Sequence, residues 1–354
     1  MFGFSVFMNQ DLTQSDLAQM EELAVSFKGM FTSMHIPEDD SASYRKRLGV
    51  IGAFAKKHQL SLMVDISGNA LAEAGFSIDH LEDLLTLGVT GLRMDYAIDN
   101  RQIAQFSRQM RIALNASTLT EKDVHELRAY DADFTQLEAW HNYYPRPETG
   151  LDAQWVQEKN RWLKDQGFYV QVFVPGDDRL RGPLYAGLPT LEDHRDMSPF
   201  AAAIAMQQSG TVDAVYIGDG GLTPQSIKQF NDYLQNGFIT LRVKDCGSAY
   251  LDNVVGMHQN RQDEARDVLR SADARFGEVR MVKAEAPQLR QKGAVTIDNE
   301  LYLRYMGEIQ VCKSVLPADP RVNVAAQVID ADVPLIQHIH AGMQFKIERD
   351  EENE

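Results

Sequence analysis

The sequence is short of cysteine, of positive charge and of long apolar runs, and each shortage removes a class of protein. Cys246 and Cys312 are the two cysteines of 354 residues. They lie far apart and form no CxxC or Cys/His ligand pattern, so neither a disulfide framework nor a zinc site is expected, and the cytoplasm is the expected compartment. The 35 Lys and Arg face 51 Asp and Glu, a net charge of -16. A field of that sign repels nucleic acid and anionic membrane surfaces, so neither is an expected partner. No stretch reaches the ~20 apolar residues of a membrane span. The opening MFGFSVFM is apolar but brief, with no basic residues before it and no small-residue cleavage pattern after it. It is expected to be a first strand rather than a signal peptide. HExxH is absent, and no GxGxxG follows a strand at a helix start. That weighs against metal-dependent hydrolysis, although His35, Asp65, His141 and Asp219 are ligand types, and against a Rossmann dinucleotide site. Neither a metal nor a cofactor is expected.

What is present is a regular alternation. Up to about Gly237, short apolar runs at Gly3–Met8, Met30–Pro37, Leu60–Ser67, Gly91–Ala97, Arg111–Ser117, Phe134–His141, Tyr169–Pro175 and Ala214–Gly218 alternate with amphipathic segments such as Ser43–His58, Asp152–Gln166 and Pro224–Gln235. Several of those segments open on a Ser, Thr or Asp cap. Eight βα units in 1–237 predict an α/β fold, a (β/α)8 TIM barrel, since a doubly wound sheet stops at fewer strands. No run contains a lysine, so a Schiff-base aldolase has no nucleophile. Residues 238–354 change texture to short strands separated by turn residues, with one helical piece near Arg261–Arg270. They predict a small β-barrel domain ending in an acidic tail.

Barrel enzymes carry their chemistry at the C-terminal ends of the strands. Those ends read Ser5, His35, Asp65, Arg93 with Asp95, Asn115, Glu138 with His141, and Asp219. The sixth run leads into LEAWHNYYPRPETGL, Leu137 to Leu151, which packs an acid, His141, Asn142, Tyr143, Tyr144, Arg146 and two prolines into one stiff connection. Each of these residues alone fits a structural role, His141 as a satisfied core histidine among them. Together they are the expected active-site loop. The seventh run leads into a Gly/Pro-rich loop with Arg179 and Arg181, in the usual anion-binding region of this fold. Aromatic faces beside Asn, His and Asp suit a sugar, and the arginines suit a phosphate or carboxylate on it. The residues by themselves lead to a phosphosugar-binding barrel enzyme.

Several stretches resemble the MupG-type 6-phospho-N-acetylmuramidase family: Phe31 to Asp39, Gly91 to Tyr96, Leu114 to Ser117, His141 to Leu151 and Arg181 to Glu192, then Ile297-Asp298-Asn299 and Arg304 to Glu308 in the tail domain. The chain departs from the family pattern at Gly68, Trp140 and Tyr143. The resemblance implies a TIM barrel followed by a cyclophilin-like β domain, cytosolic, without a cofactor. The implied reaction is hydrolysis of the β-1,4 bond between N-acetylmuramic acid 6-phosphate and N-acetylglucosamine in peptidoglycan recycling. The partner is thus a phosphorylated amino-sugar disaccharide, and a homodimer stays open. A phosphosugar isomerase or epimerase and a non-catalytic phosphosugar- or peptide-binding protein remain as alternatives. Within the hydrolase reading Glu138 is the expected general acid, its pKa raised by burial against Trp140 and Tyr144. Asp95 is its partner and Asp219 the reserve. Ser5, His35, Asp65, Arg93, Asn115, His141, Asn142, Tyr144, Arg146, Arg181 and Arg304 are the expected substrate contacts.

Overall fold

The computed structural model describes residues 1–33, 41–66, 76, 81–94, 98–272, 274 and 281–350. The chain divides into two compact units, Met1–Ile227 and Lys228–Glu354. In the first, β1 (Phe2–Ser5), β2 (Gly29–Ser33), β3 (Ser61–Ile66), β4 (Gly91–Met94), β5 (Arg111–Asn115), β6 (Leu137–Trp140), β7 (Tyr169–Val174) and β8 (Ala214–Ile217) form a closed parallel barrel in sequence order. The helices between them include α1 (Gln14–Ala24), α2 (Ser41–His58), α3 (Glu82–Leu87), α4 (Asn100–Ser107), α5 (Glu121–Ala129), α6 (Ala153–Asp165) and α7 (Pro199–Gln208). Strands covered on both faces must be apolar almost throughout, and all eight have at most two residues that are not buried, while β1, β2, β4, β6 and β8 have none. Thr13 and Thr120 open α1 and α5 with capping boxes to Asp16 and Asp123, and Asp99, Asp152 and Ser198 cap α4, α6 and α7. The sixth run is shorter than its apolar pattern, because Phe134–Gln136 turn as a 3-10 helix before β6 begins.

The barrel interior is filled by Phe31, Met63, Ala113, Trp140, Phe173 and Tyr216. Phe31 and Phe173 meet edge to face 5.2 Å apart, and Trp140 lies tilted 4.8 Å from Tyr216. Tyr216 lies across β1 and β2 at two glycines. A Cβ on Gly3 would stand 2.3 Å from its ring and one on Gly29 2.0 Å from its hydroxyl, so Tyr216 fits because those two positions have no side chain.

The second unit is a seven-stranded sheet of β9 (Phe238–Asp245), β10 (Gly256–Gln259), β11 (Val268–Arg270), β12 (Ala294–Asp298), β13 (Ile309–Cys312), β14 (Val322–Val328) and β15 (Gln344–Arg349), ordered β10-β15-β9-β14-β12-β13-β11. Its two edges meet at an antiparallel bridge between Asn260 and Ser271, so the sheet nearly closes. The helix expected near Arg261–Arg270 is absent; a helix of this unit is instead α9 (Leu251–Val254), α8 being Pro224–Asn236. The charges of that stretch are used locally or across the sheet. Arg261 pairs with Asp263 and Arg266 with Asp267, while Val268–Arg270 joins β13 and Arg270 reaches Glu308 at 2.9 Å. Ladder pairing and burial of Val268 and Leu269 override a helical charge pattern.

Asp298, at the end of β12, is buried close to Glu308. Burial first, then the charges of Glu308 and Asp319, push its carboxyl from 3.8 up to about 7. A group with its folded pKa raised contributes stability at low pH and loses it as pH rises from the unfolded value through the folded one. The stability of the second unit, followed by denaturant unfolding, should therefore fall between about pH 4 and pH 8. Asp298→Asn should flatten that slope, and an unchanged slope in the variant would show that other groups set it.

Candidate active site

The loop after β6 is built as a stiff wall. His141 N–H extends the ladder to the Gln171 carbonyl, Tyr144 N–H bonds the Pro189 carbonyl at 2.9 Å and Leu151 N–H the Thr190 carbonyl at 2.8 Å. The Glu192 carboxylate accepts the N–H groups of Glu148 and Gly150 at 2.8 and 2.7 Å and is clamped by Arg195 at 2.6–2.7 Å. Arg195 first, and those two peptide donors with it, hold the Glu192 carboxyl down at about 2. Arg195 also donates to the Tyr144 carbonyl at 3.0 Å. Gly150 is required, since a Cβ there would meet Glu192 Oε2 at 2.4 Å. This explains why PRPETG and PTLE occur together: each fixes the other.

At the C-terminal mouth the structure gathers Asp65, Arg93, Asn142 and Arg181, with Tyr143 between them. Arg93 Nη1 donates to Asp65 Oδ1 at 2.7 Å, and its Nη2 donates to Asn142 Oδ1. Ser33 Oγ donates weakly to Asp65 Oδ2 at 3.3 Å, and Thr190 Oγ1 holds the Asn142 carbonyl at 2.9 Å. Arg181 Nη1 donates to Tyr143 Oη at 2.6 Å, and its guanidinium lies 4.2 Å over the Phe7 ring. Burial pushes the Tyr143 phenol up, against the pull of Arg181, so it stays neutral. Ser5 belongs to the same end of the barrel, where its Oγ donates to the Ile217 carbonyl at 2.6 Å.

Other expected site residues stand outside this array. Glu138 lies at the N-terminal half of the barrel, below Trp140, whose Nε1 donates to Glu138 Oε2 at 2.6 Å. Its surroundings are Arg111 at the start of β5, 3.8 Å away, and Tyr169 at the start of β7. The expected direction of its pKa is right, raised by burial. The expected place is not, because Glu138 and Trp140, two positions apart, share one face of β6 with Glu138 on the N-terminal side, and Trp140 closes the way to the mouth. His141 is fully buried and turned toward α6, its Nε2 2.7 Å from Asn160 Oδ1 and its Nδ1 3.5 Å from Ser117 Oγ. Burial holds its pKa at about 4, so it is a neutral structural histidine. Asp219 is buried and accepts the N–H groups of Gly176, Leu188 and Arg181 at 2.9, 2.9 and 3.1 Å. It shapes the β7–α7 loop. Asn115 folds back on Ser117 N–H at 3.0 Å. Tyr144 is half-buried, Arg146 is exposed, and Arg304 is an exposed residue of the second unit beside Tyr305. Arg179 is occupied by Asp16, Gln19 and Asp178. His35 and Asp95 lie outside the described residues.

Replacing Glu138 by Gln is therefore expected to leave glycoside hydrolysis near the wild-type rate. The raised carboxyl stabilises the fold most below its ordinary 4.5 and less as pH rises above it, so the variant should gain stability relative to wild type as pH rises above about 4.5. A ~10²–10⁴-fold loss in kcat would return Glu138 to the chemistry.

Comparison with known proteins adds the family. No curated protein matches the chain. The crystal structure of a conserved protein of unknown function from Enterococcus faecalis is 49% identical, with a TM-score of 0.94 over 99% of this chain and 97% of that one. An uncharacterized B. cereus protein is 23% identical, with a TM-score of 0.75 over 98% of each chain, a likeness of fold. The models for 6-phospho-N-acetylmuramidase, N-terminal and C-terminal, match residues 2–232 and 239–348. They take up the barrel and the β unit in turn, and so the chain belongs to the 6-phospho-N-acetylmuramidase family, a family of glycosidases.

Proposed function

We propose that the protein hydrolyses the β-1,4 bond of N-acetylmuramic acid 6-phosphate–N-acetylglucosamine, in the cytoplasm, as a step of peptidoglycan recycling. The observation that carries this reading is the array at the mouth, in which an ion-paired carboxylate, Asp65, and a cation held on a neutral phenol, Arg181, stand on either side of Tyr143 within a chain of that family. A glycosidase needs a carboxylate near the anomeric carbon and a proton donor for the leaving oxygen, or an acetamido group of the substrate in place of an enzyme nucleophile. Asp65 takes the first part, steadied by Arg93. Asp95, two positions after Arg93 in the sequence, is the candidate for the second. The bond broken joins the anomeric carbon to the N-acetylglucosamine oxygen; that oxygen takes a proton and water supplies the new hydroxyl.

The purified protein should convert the phosphorylated disaccharide into two products, N-acetylglucosamine and N-acetylmuramic acid 6-phosphate, resolved by mass spectrometry. Rearrangement of a phosphorylated monosaccharide without cleavage of the disaccharide would favour an isomerase. Tight binding with no turnover would make the protein a phosphosugar binder and end the hydrolase reading.

A further inference from the structure

We propose that the cavity of about 340 Å³ on the seam between β8 and β1 is the subsite for the substrate's phosphate, with Arg181 as its cation. This rests on the hydrolase reading above. The cavity is walled by Ser5 and Phe7 from the first strand and its loop, by Gly220 and Gly221 after β8, and by Arg181 and Tyr185 from the β7–α7 loop. It adjoins the catalytic array through one residue pair, because the guanidinium that lines it is the one donating to Tyr143.

The charge pattern selects an anion. Each of the other charges lining this cavity is answered inside the protein. Arg179 is met by Asp16 and Asp178, and the Asp219 carboxylate is met by three peptide N–H groups, one of them that of Arg181 itself. Arg181 alone differs. Its guanidinium lies on the Phe7 ring and donates to a neutral phenol; among the described residues it has no ion pair at contact distance, and Asp219 acts on it only through its field. In a chain of net charge -16, an arginine held half-buried with no ion pair at contact distance is suited to a negative ligand. Stacking on Phe7 fixes the plane of the fork, and the fork's planar donors match two oxygens of a phosphate.

The remaining wall is close-packed around two glycines. A Cβ on Gly221 would stand 2.4 Å from Gln19 Oε1 and 3.1 Å from the Arg179 guanidinium, and one on Gly220 2.9 Å from the Arg179 carbonyl. Side chains are thus excluded where the loop after β8 faces the cavity. Asn9 and Gln10 line the same space and offer amide donors. The substrate carries two oxyanions, the 6-phosphate and the lactyl carboxylate. A phosphate has one more terminal oxygen to satisfy, and a cavity that offers amides beside a fork suits it better.

The test compares three disaccharides: the natural one, one without the phosphate, and one with the phosphate but without the lactyl group. For Arg181→Met the preference for phosphorylated over unphosphorylated substrate, as a ratio of kcat/KM, should fall about 100-fold, as expected for losing a charge-assisted anchor. Preference for the lactyl group should be kept. Inorganic phosphate should inhibit the wild type competitively and the variant far less. An unchanged phosphate preference overturns the proposal, and so does a collapse of the lactyl preference instead, which would make this the carboxylate subsite. Should the variant fail to fold, Arg181→Lys keeps the charge, loses the fork and carries the same comparison. If the wild type cleaves none of the disaccharides, the hydrolase reading fails. Titration of wild type and variant with inorganic phosphate then decides the cavity by itself: binding lost in Arg181→Met upholds it, and equal or absent binding overturns it.

Discussion

Asp65→Asn should lower kcat on the phosphorylated disaccharide by ~10²–10⁴-fold while the protein remains folded. Asp65 stands inside the mouth at the fifth residue of β3, with its side chain 19% exposed, so it is both fixed and reachable. The change to Asn keeps the shape and removes the charge. It also removes the carboxylate that Arg93, whose side chain is 5% exposed, meets at 2.7 Å, so the local field shifts toward positive where an oxocarbenium-like transition state would form. Both consequences act on the transition state more than on substrate binding, so the loss should lie in kcat with KM little changed. Ser33→Ala, which removes a weak 3.3 Å contact to the same carboxylate, should have a far smaller effect. A well-folded Asp65→Asn enzyme that turns over at the wild-type rate would exclude Asp65 from the chemistry.

Asp332→Ala should destabilise the second unit by about 3–5 kcal/mol, the largest stability effect expected from a single side chain here. Asp332 is fully buried and takes two bonds from the Arg242 fork at 2.8 and 2.7 Å, a third from Arg242 N–H at 2.9 Å and a fourth from Gln229 Nε2 at 3.1 Å. Removing it takes the carboxylate from a guanidinium that is itself buried, and the penalty is the desolvation of that charge rather than the worth of the pair. Unfolding should move to lower temperature by about 10–20 °C. Replacing both partners with apolar residues of similar volume should recover most of the loss. A single and a double variant equally unstable would show that the geometry, not the buried charge, is what matters.

The barrel was legible because its signals are local and redundant. Eight apolar runs that fail to alternate can only be strands covered on both faces, and the caps at Thr13, Asp99, Thr120 and Asp152 mark helix starts that the structure keeps. The loop from His141 to Leu151 and the Asp65, Arg93 and Arg181 positions were legible for the same reason. Which way a side chain points was not. Glu138 and Trp140 differ by two positions and share one strand face, so the order of layers along the barrel decides that one lies below the other. That order depends on where β6 begins, and the turn at Phe134–Gln136 moves its start. His141 looks like a ligand in sequence because nothing there reveals that Asn160, nineteen residues on, faces it from α6. Glu192 and Arg195 were missed as organisers of the site, although the pairing of PRPETG with PTLE was the available signal. In the β unit, the run Arg261–Arg270 carried a helical pattern whose charges are paired locally and across the sheet.

The pairing of β1 with β8 has a kinetic side. Ser5 Oγ meets the Ile217 carbonyl across 212 positions of chain, and Phe2, Gly3 and Phe4 register with Val215, Tyr216 and Ile217. Contacts of such sequence separation are slow to form, since loop-closure entropy opposes them until the intervening units are in place. Until that moment both strands have a bare edge, and Tyr216 has no glycine shelf to lie on. The seam is therefore where the barrel should open first and zip last. A solute that bridges the two strands would slow unfolding there in proportion to its occupancy, turning a binding site into a latch on the fold.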